Sequence, residues 1–227
     1  MLKYQINDSM SIKKIVNEAE LCVNLHLYFF EADVKSDSHE NFQLFEEEVN
    51  KVINESDIEE RITRLKNTHK YLKSIGGKPS RYAHSGQALY KRILQGKKIT
   101  RINNIIDFIN FISIKTFCPV GVYDLDKVVS DTIIIDKGTK LTNYETIGNR
   151  IIKLQGVPIL KDVKGAFGSI ISDSIRCSIT EKTRKMMMII YDFGEQPFSK
   201  YLQEEIDETI FNSFNNNVKK QNFYYEK

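Results

Sequence analysis

Residues 102–114 carry the tightest constraint in the chain. Ile102, Ile105, Ile106, Phe108, Ile109, Phe111, Ile112 and Ile114 make this stretch apolar on nearly every side. A helix of that kind must be buried rather than laid on a surface. Asn103 is a good cap residue, and the spacing predicts a helix from there to about Phe117. One narrow stripe is polar: Asn103, Asp107 and Asn110, at i, i+4 and i+7. Burying such groups without partners costs on the order of 1–3 kcal/mol each. Something polar must therefore face the stripe, either backbone from a neighbouring loop or a ligand pocket.

Helical and strand patterns surround this segment. Val23, Leu25 and Leu27 alternate with Cys22, Asn24 and His26, which is strand periodicity. Residues 36–74 repeat apolar positions at three and four, with Asp57 as a candidate cap, and read as helical scaffold that includes His39 and His69. A short helix is expected from Ser85 to Gln95, carrying Ala88, Leu89 and Ile93 inward and stopping at Gly96. After Pro119 the texture turns to β: residues 120–123, 132–135, 150–154, 168–171 and 185–190 are short apolar or β-branched runs between turn residues. Residues 198–214 read as a closing helix, and the Asn-rich segment 215–227 as a flexible tail. Helices and strands neither segregate nor alternate regularly. The expectation is one mixed α+β domain over residues 1–227, with a buried central helix and a mixed sheet of short strands.

Composition removes several function classes. No apolar run is long enough to span a bilayer, and the N-terminus lacks the apolar stretch of a signal peptide, so a cytoplasmic protein with no membrane partner is expected. Cys22, Cys118 and Cys177 are widely spaced, as are the four histidines, which argues against a zinc site; no metal or cofactor is expected. There is no Gly-x-Ser-x-Gly elbow, no phosphate-binding glycine loop and no dinucleotide fingerprint. A net charge of +3 is too mild to announce a nucleic-acid binder, yet Lys91, Arg92, Lys97, Lys98 and Arg101 cluster about Gly96. That cluster is either a solvated face or a phosphate contact.

Three segments together resemble the B3/B4 domain of the phenylalanyl-tRNA synthetase beta subunit, and its stand-alone relatives more closely. Pro79-Ser80-Arg81 with Ser85, Ala88-Leu89 and Arg92 is similar to the family's opening segment. Arg101-Ile102-Asn103-Asn104-Ile105-Ile106-Asp107, then Asn110, Pro119 and Tyr123-Asp124-Leu125-Asp126, is similar to its central run. Residues 178–183 resemble the stretch that closes the editing pocket. The likeness covers roughly residues 75–195. It implies binding of tRNA or aminoacyl-tRNA, with a free amino acid as an alternative ligand, and hydrolysis of the ester joining a wrong amino acid to tRNA. A non-catalytic binding module is the alternative. Two positions depart from the family: the histidine two residues after the proline is Gly121 here, and the glutamate that recognises the mischarged amino acid falls near Ile175.

The candidate catalytic residues are Asp107 and Asp124, which could orient water, with His84 as a further general base. Arg81, Asn103, Asn104, Asn110, Tyr123, Asp126, Asp173, Arg176 and Ser178 are the candidate substrate contacts, Arg176 among them to stabilise developing charge. Lys91, Arg92, Lys97, Lys98 and Arg101 are the candidate tRNA phosphate contacts.

Overall fold

The structure, a computed structural model, describes residues 3–5, 12, 14–36, 49, 51, 58–78, 83–215 and 217–224. Its helices are α1 (Ile58–Ser74), α2 (Ser85–Leu94), α3 (Asn104–Thr116) and α4 (Lys200–Ser213). The strands are β1 (Lys3–Gln5), β2 (Lys14–Asn17), β3 (Asn24–Glu31), β4 (Val120–Asp124), β5 (Thr132–Lys137), β6 (Asn143–Glu145), β7 (Ile151–Lys153), β8 (Pro158–Asp162), β9 (Gly165–Ser169), β10 (Lys185–Asp192) and β11 (Val218–Phe223). Short 3-10 turns follow β4 and β9, at Leu125–Lys127 and Ile175–Cys177.

A four-stranded antiparallel sheet, β11-β3-β10-β4, is the middle layer. Leu25, Leu27 and Phe29 of β3, with Met187, Ile189 and Tyr191 of β10, pack toward Ile15, Ile133, Ile135, Ile159 and Phe167 of the second sheet. The alternate residues Tyr28, Phe30, Met186, Met188 and Ile190 pack with Ile105, Ile109, Ile112, Leu202, Ile206 and Ile210 of α3 and α4. A sheet covered on both faces needs strands that are apolar throughout, and this is why β10 reads as an unbroken Met-Met-Met-Ile-Ile run. The second sheet has the order β1-β2-β5-β8-β9; its β2–β5 pair is parallel and its other pairs antiparallel. The architecture is mixed α+β.

Helix α3 starts and ends where its caps require. Asn103 Oδ1 accepts from the Ile106 amide at 2.8 Å, and Phe117, in the left-handed region at φ 54°, stops the helix. From Phe111 onward every residue of α3 is buried, while Ile102, expected to be buried, is 58% exposed. The start of α2 lies against the end of α3 so closely that a Cβ on Gly86 would fall 2.8 Å from the Cys118 carbonyl oxygen. Ala88, expected to face inward, is exposed; Leu89 and Ile93 do pack against the helical core.

Other expectations need correction. The β9 strand begins three residues before the expected 168–171 run, because Gly165, at φ 108°, opens its hairpin with β8. The segment 215–227, read as a flexible tail, contains β11, which pairs with β3 from Val218↔Phe30 to Phe223↔Leu25. Its two lysines suit an edge strand, where charge discourages further pairing. Most of the helical pattern expected across residues 36–57 lies outside the described residues.

Candidate functional site

The polar stripe on α3 is used up by the helix's own N-terminus. Asp107 Oδ1 accepts from the Ile102 amide at 3.0 Å, and Arg101 Nε approaches its other oxygen at 3.4 Å. Asn104 accepts from the Lys35 amide at 2.7 Å and donates to the Asp33 carbonyl at 2.9 Å, pinning the segment after β3 to α3. Of the stripe, Asn103 and Asp107 bond backbone amides at the start of α3 itself, Ile106 and Ile102, and the adjacent Asn104 bonds backbone of the segment after β3. Asn110 is half-buried on the same helix.

Asp124 is similarly engaged. It is buried and caps the turn at Leu125–Lys127 by accepting from the Asp126 amide at 3.1 Å. Its other oxygen accepts from Thr183 Oγ1 at 2.5 Å and lies 3.2 Å from Lys127 Nζ. Lys127 Nζ also donates to the Ser178 carbonyl at 2.5 Å, so Asp124 and Ser178 meet through one lysine. The Asp126 side chain is exposed. Arg176 forms a two-pronged pair with Asp162, at 2.9 and 3.0 Å, and donates to the Gly165 carbonyl at 3.0 Å. Its positive charge is spent on fixing the β8–β9 hairpin.

Tyr123 and Asp173 meet side chain to side chain. Tyr123 is buried, and its hydroxyl donates to Asp173 Oδ1 at 2.6 Å and lies 3.4 Å from the Tyr191 hydroxyl. The ring covers two glycines at once. A Cβ at Gly121 or at Gly168 would stand 2.4 Å from the Tyr123 hydroxyl oxygen. A larger side chain at position 121 would require that phenol to move. Asp173 ends a tight polar turn in which Ser169 Oγ donates to the Ser172 carbonyl at 2.9 Å and accepts from Tyr144 at 2.9 Å. Asp173 is half-buried, and desolvation of its inward-facing carboxyl outweighs the hydrogen bonds from Tyr123 and the Ser169 amide. Its pKa is pushed up to about 7. A carboxyl tuned to neutrality beside a phenol can take or give a proton under physiological conditions.

His84, read as a loop residue, is buried and caps α2, its Nδ1 accepting from the Gln87 amide at 3.4 Å. Burial first, and His69 beside it second, lower its pKa to about 3. The imidazole is neutral, with Nδ1 held as an acceptor, which suits a helix cap better than a general base. Arg81 lies outside the described residues. Lys91, Arg92, Lys97 and Lys98 are exposed at the end of α2 and in the loop after it, while Arg101 is half-buried beside Asp107. Tyr191, Tyr144 and Ser169 complete the Tyr123–Asp173 network; in sequence they look like ordinary strand and turn residues, and nothing in their spacing sets them apart.

Three comparisons with known proteins bear on this geometry. A family model described as B3/4 domain matches residues 67–221. No curated protein matches the chain. Among solved structures the chain is similar to an N-terminal fragment of the phenylalanyl-tRNA synthetase beta subunit from Pyrococcus horikoshii, at 10% identity and a TM-score of 0.44. That likeness covers 96% of this chain and 54% of the other, so this chain spans about half the length of its neighbour.

Proposed function

The chain belongs to the B3/4 domain family, and from that premise we propose that it binds tRNA and hydrolyses the ester of a wrongly attached amino acid, with the Tyr123–Asp173 pair handling the proton. The observation that carries this reading is a half-buried carboxyl held 2.6 Å from a buried phenol at the edge of a polar turn. In the proposed step water attacks the ester carbonyl carbon and gives its proton to the Asp173 carboxylate. The bond from that carbon to the ribose oxygen then breaks, and Asp173 returns the proton to that oxygen. Asp107 and Asp124 hold the surrounding loops and stay outside the reaction. Lys91, Arg92, Lys97 and Lys98 meet phosphates of the tRNA, so binding weakens as salt rises.

The test is deacylation of a panel of mischarged tRNAs by wild-type protein and by Asp173→Asn, with melting temperatures measured in parallel. Asp173→Asn should slow hydrolysis by about 10²–10⁴-fold while tRNA retention on a filter is unchanged. The wild-type rate should climb with pH and level off above about 7, the value that burial sets for this carboxyl. A variant that stays folded and fully active removes Asp173 from the mechanism.

One set of contacts favours a second reading, a tRNA-binding module without catalysis. Asp107, Asp124 and Arg176 are all committed to structural bonds, and Gly121 is covered by Tyr123. Salt-sensitive tRNA retention, with no deacylation of any member of the panel, would put that reading first.

A further inference from the structure

A cavity of about 440 Å³ opens beside α1 and is lined by Cys22, Asn24, Asn67, Tyr71, Phe193 and Tyr224 among others. Its size suits a small organic ligand. Tyr71 and Phe193 stack nearly parallel in its lining, with centroids 4.8 Å apart and planes 25° from one another. The amides of Asn67 and Gln196 also line it, each bringing a donor and an acceptor, and Asn24, whose side chain holds Asp192, lies beside them. The charged lining residues, Lys70 and Glu195, pair with each other at 3.3 Å with both side chains largely exposed, which leaves the cavity without net charge.

The wall is built before any ligand arrives. Arg64, on α1, donates to Asp192 at 2.7 Å, to the Gln196 carbonyl at 2.6 Å and to the Pro197 carbonyl at 2.7 Å. A Cβ on Gly194 would fall 1.7 Å from its guanidinium. The 193–197 segment is thus clamped onto α1. Two residues along β3 from Asn24, His26 is buried with its Nε2 unpartnered and its ring edge-on to Tyr224 at 6.0 Å. Flat aromatic faces, uncharged amides and a preformed wall together match a planar ring whose edge carries both donors and acceptors.

We propose that this cavity binds a nucleobase, stacked on its aromatic wall and read at its edge by the lining amides. The assignment is independent of ester hydrolysis and of the Tyr123–Asp173 pair. The base could come from a free nucleoside or from an unpaired position of an RNA strand, and both sources present the same ring.

Cys22 supplies the reporter, since it is exposed at the cavity while Cys118 and Cys177 are buried. The rate of its modification by a thiol reagent is measured on the whole protein with adenosine, guanosine, cytidine, uridine, a single-stranded oligoribonucleotide, tyrosine, phenylalanine or inorganic phosphate, and Cys22→Ser confirms the assignment. At least one nucleoside should slow modification in a saturable way. Tyr224→Ala, at a residue 41% exposed, should weaken that protection about 5- to 150-fold. Asn67→Asp, which leaves the aromatic wall intact, should change which base protects best. Protection by the oligoribonucleotide as well as a nucleoside assigns the ring to RNA; protection by nucleosides alone assigns it to a free metabolite, and both support a base site. Protection by the amino acids only, by phosphate only, or by nothing at millimolar concentration overturns the proposal. Nucleoside protection in a protein that hydrolyses no aminoacyl-tRNA leaves this inference standing, and hydrolysis without such protection sinks it alone.

Discussion

The N-terminus of α3 and the turn at Ser169–Ser174 both collect polar side chains next to apolar core, and they do so to different ends. At α3 the side chains of Asn103, Asn104 and Asp107 meet backbone groups, so each satisfies a donor or acceptor that the fold would otherwise leave open. At the turn, Asp173 meets another side chain, the Tyr123 phenol, and burial leaves its proton loosely decided near neutrality. The first arrangement stabilises; in the second, burial of the carboxyl costs stability. Asn and Asp in a motif are thus open to a purely structural use. Such residues serve helix ends well, and the informative carboxyl is one without enough backbone amides to satisfy it.

The contrast can be broken most sharply through pH. In the unfolded chain this aspartate titrates near 3.8, whereas in the fold it keeps its proton to about 7. Between those values the folded state binds the extra proton, so stability falls as pH rises from about 4 to about 7 and levels off above. Asp173→Asn has no such proton to lose. Its stability relative to wild type should improve by at most about 4 kcal/mol between pH 4 and pH 8, and by less because the residue is partly solvent-exposed. Urea unfolding at the two pH values measures it. Parallel behaviour of the two proteins would mean that Asp173 is an ordinary surface carboxylate, and the contrast with Asp107 would vanish.

The next largest effect concerns the glycines under Tyr123. Gly168→Ala places a methyl 2.4 Å from the hydroxyl oxygen of a buried ring, which must shift and abandon Asp173. A loss of about 1–3 kcal/mol is expected from such overpacking. Adding Tyr123→Phe removes the atom in the closest contact, so the double variant should recover part of that stability, which a double-mutant cycle resolves as coupling. Strict additivity of the two changes in thermal unfolding would show that the ring does not rest on Gly168.

Much of the fold was legible because burial dictates pattern. The all-round apolarity of residues 105–114 gave α3 and its depth, and the unbroken run at Met186–Ile190 gave a strand later found to be covered on both faces. Five strands escaped, β1, β2, β6, β8 and β11, and for the last two the physical reason is plain. β8 opens on Pro158 and carries Lys161 and Asp162, and β11, Val-Lys-Lys-Gln-Asn-Phe, is polar because an edge strand can be. Of the candidate site, Tyr123 and Asp173 were both on the page, but 50 residues separate them and no local pattern joins them. The pairing of Arg176 was illegible for the same reason: its partner Asp162 is fixed by a hairpin register that sequence spacing does not reveal.

The smallest expected effect completes the contrast from the α3 side. Asn103→Ala removes one helix-capping acceptor, the bond to the Ile106 amide, and should cost about 0.5–2 kcal/mol. Asp107→Asn keeps an oxygen for the Ile102 amide and gives up the ionic part of the contact with Arg101, so its cost should lie at the low end of that range. Both losses are expected in stability alone, because these side chains bond backbone at the helix start and, for Asp107, the adjacent Arg101. At a temperature where each variant is folded, its deacylation rate and its affinity for tRNA should equal those of the wild type. Thermal unfolding beside a single-turnover rate separates the two quantities. If Asp107→Asn abolished hydrolysis while its melting temperature held, the carboxylate at the start of α3 would be part of the reaction, and the division between a capping region and a chemical one would be wrong.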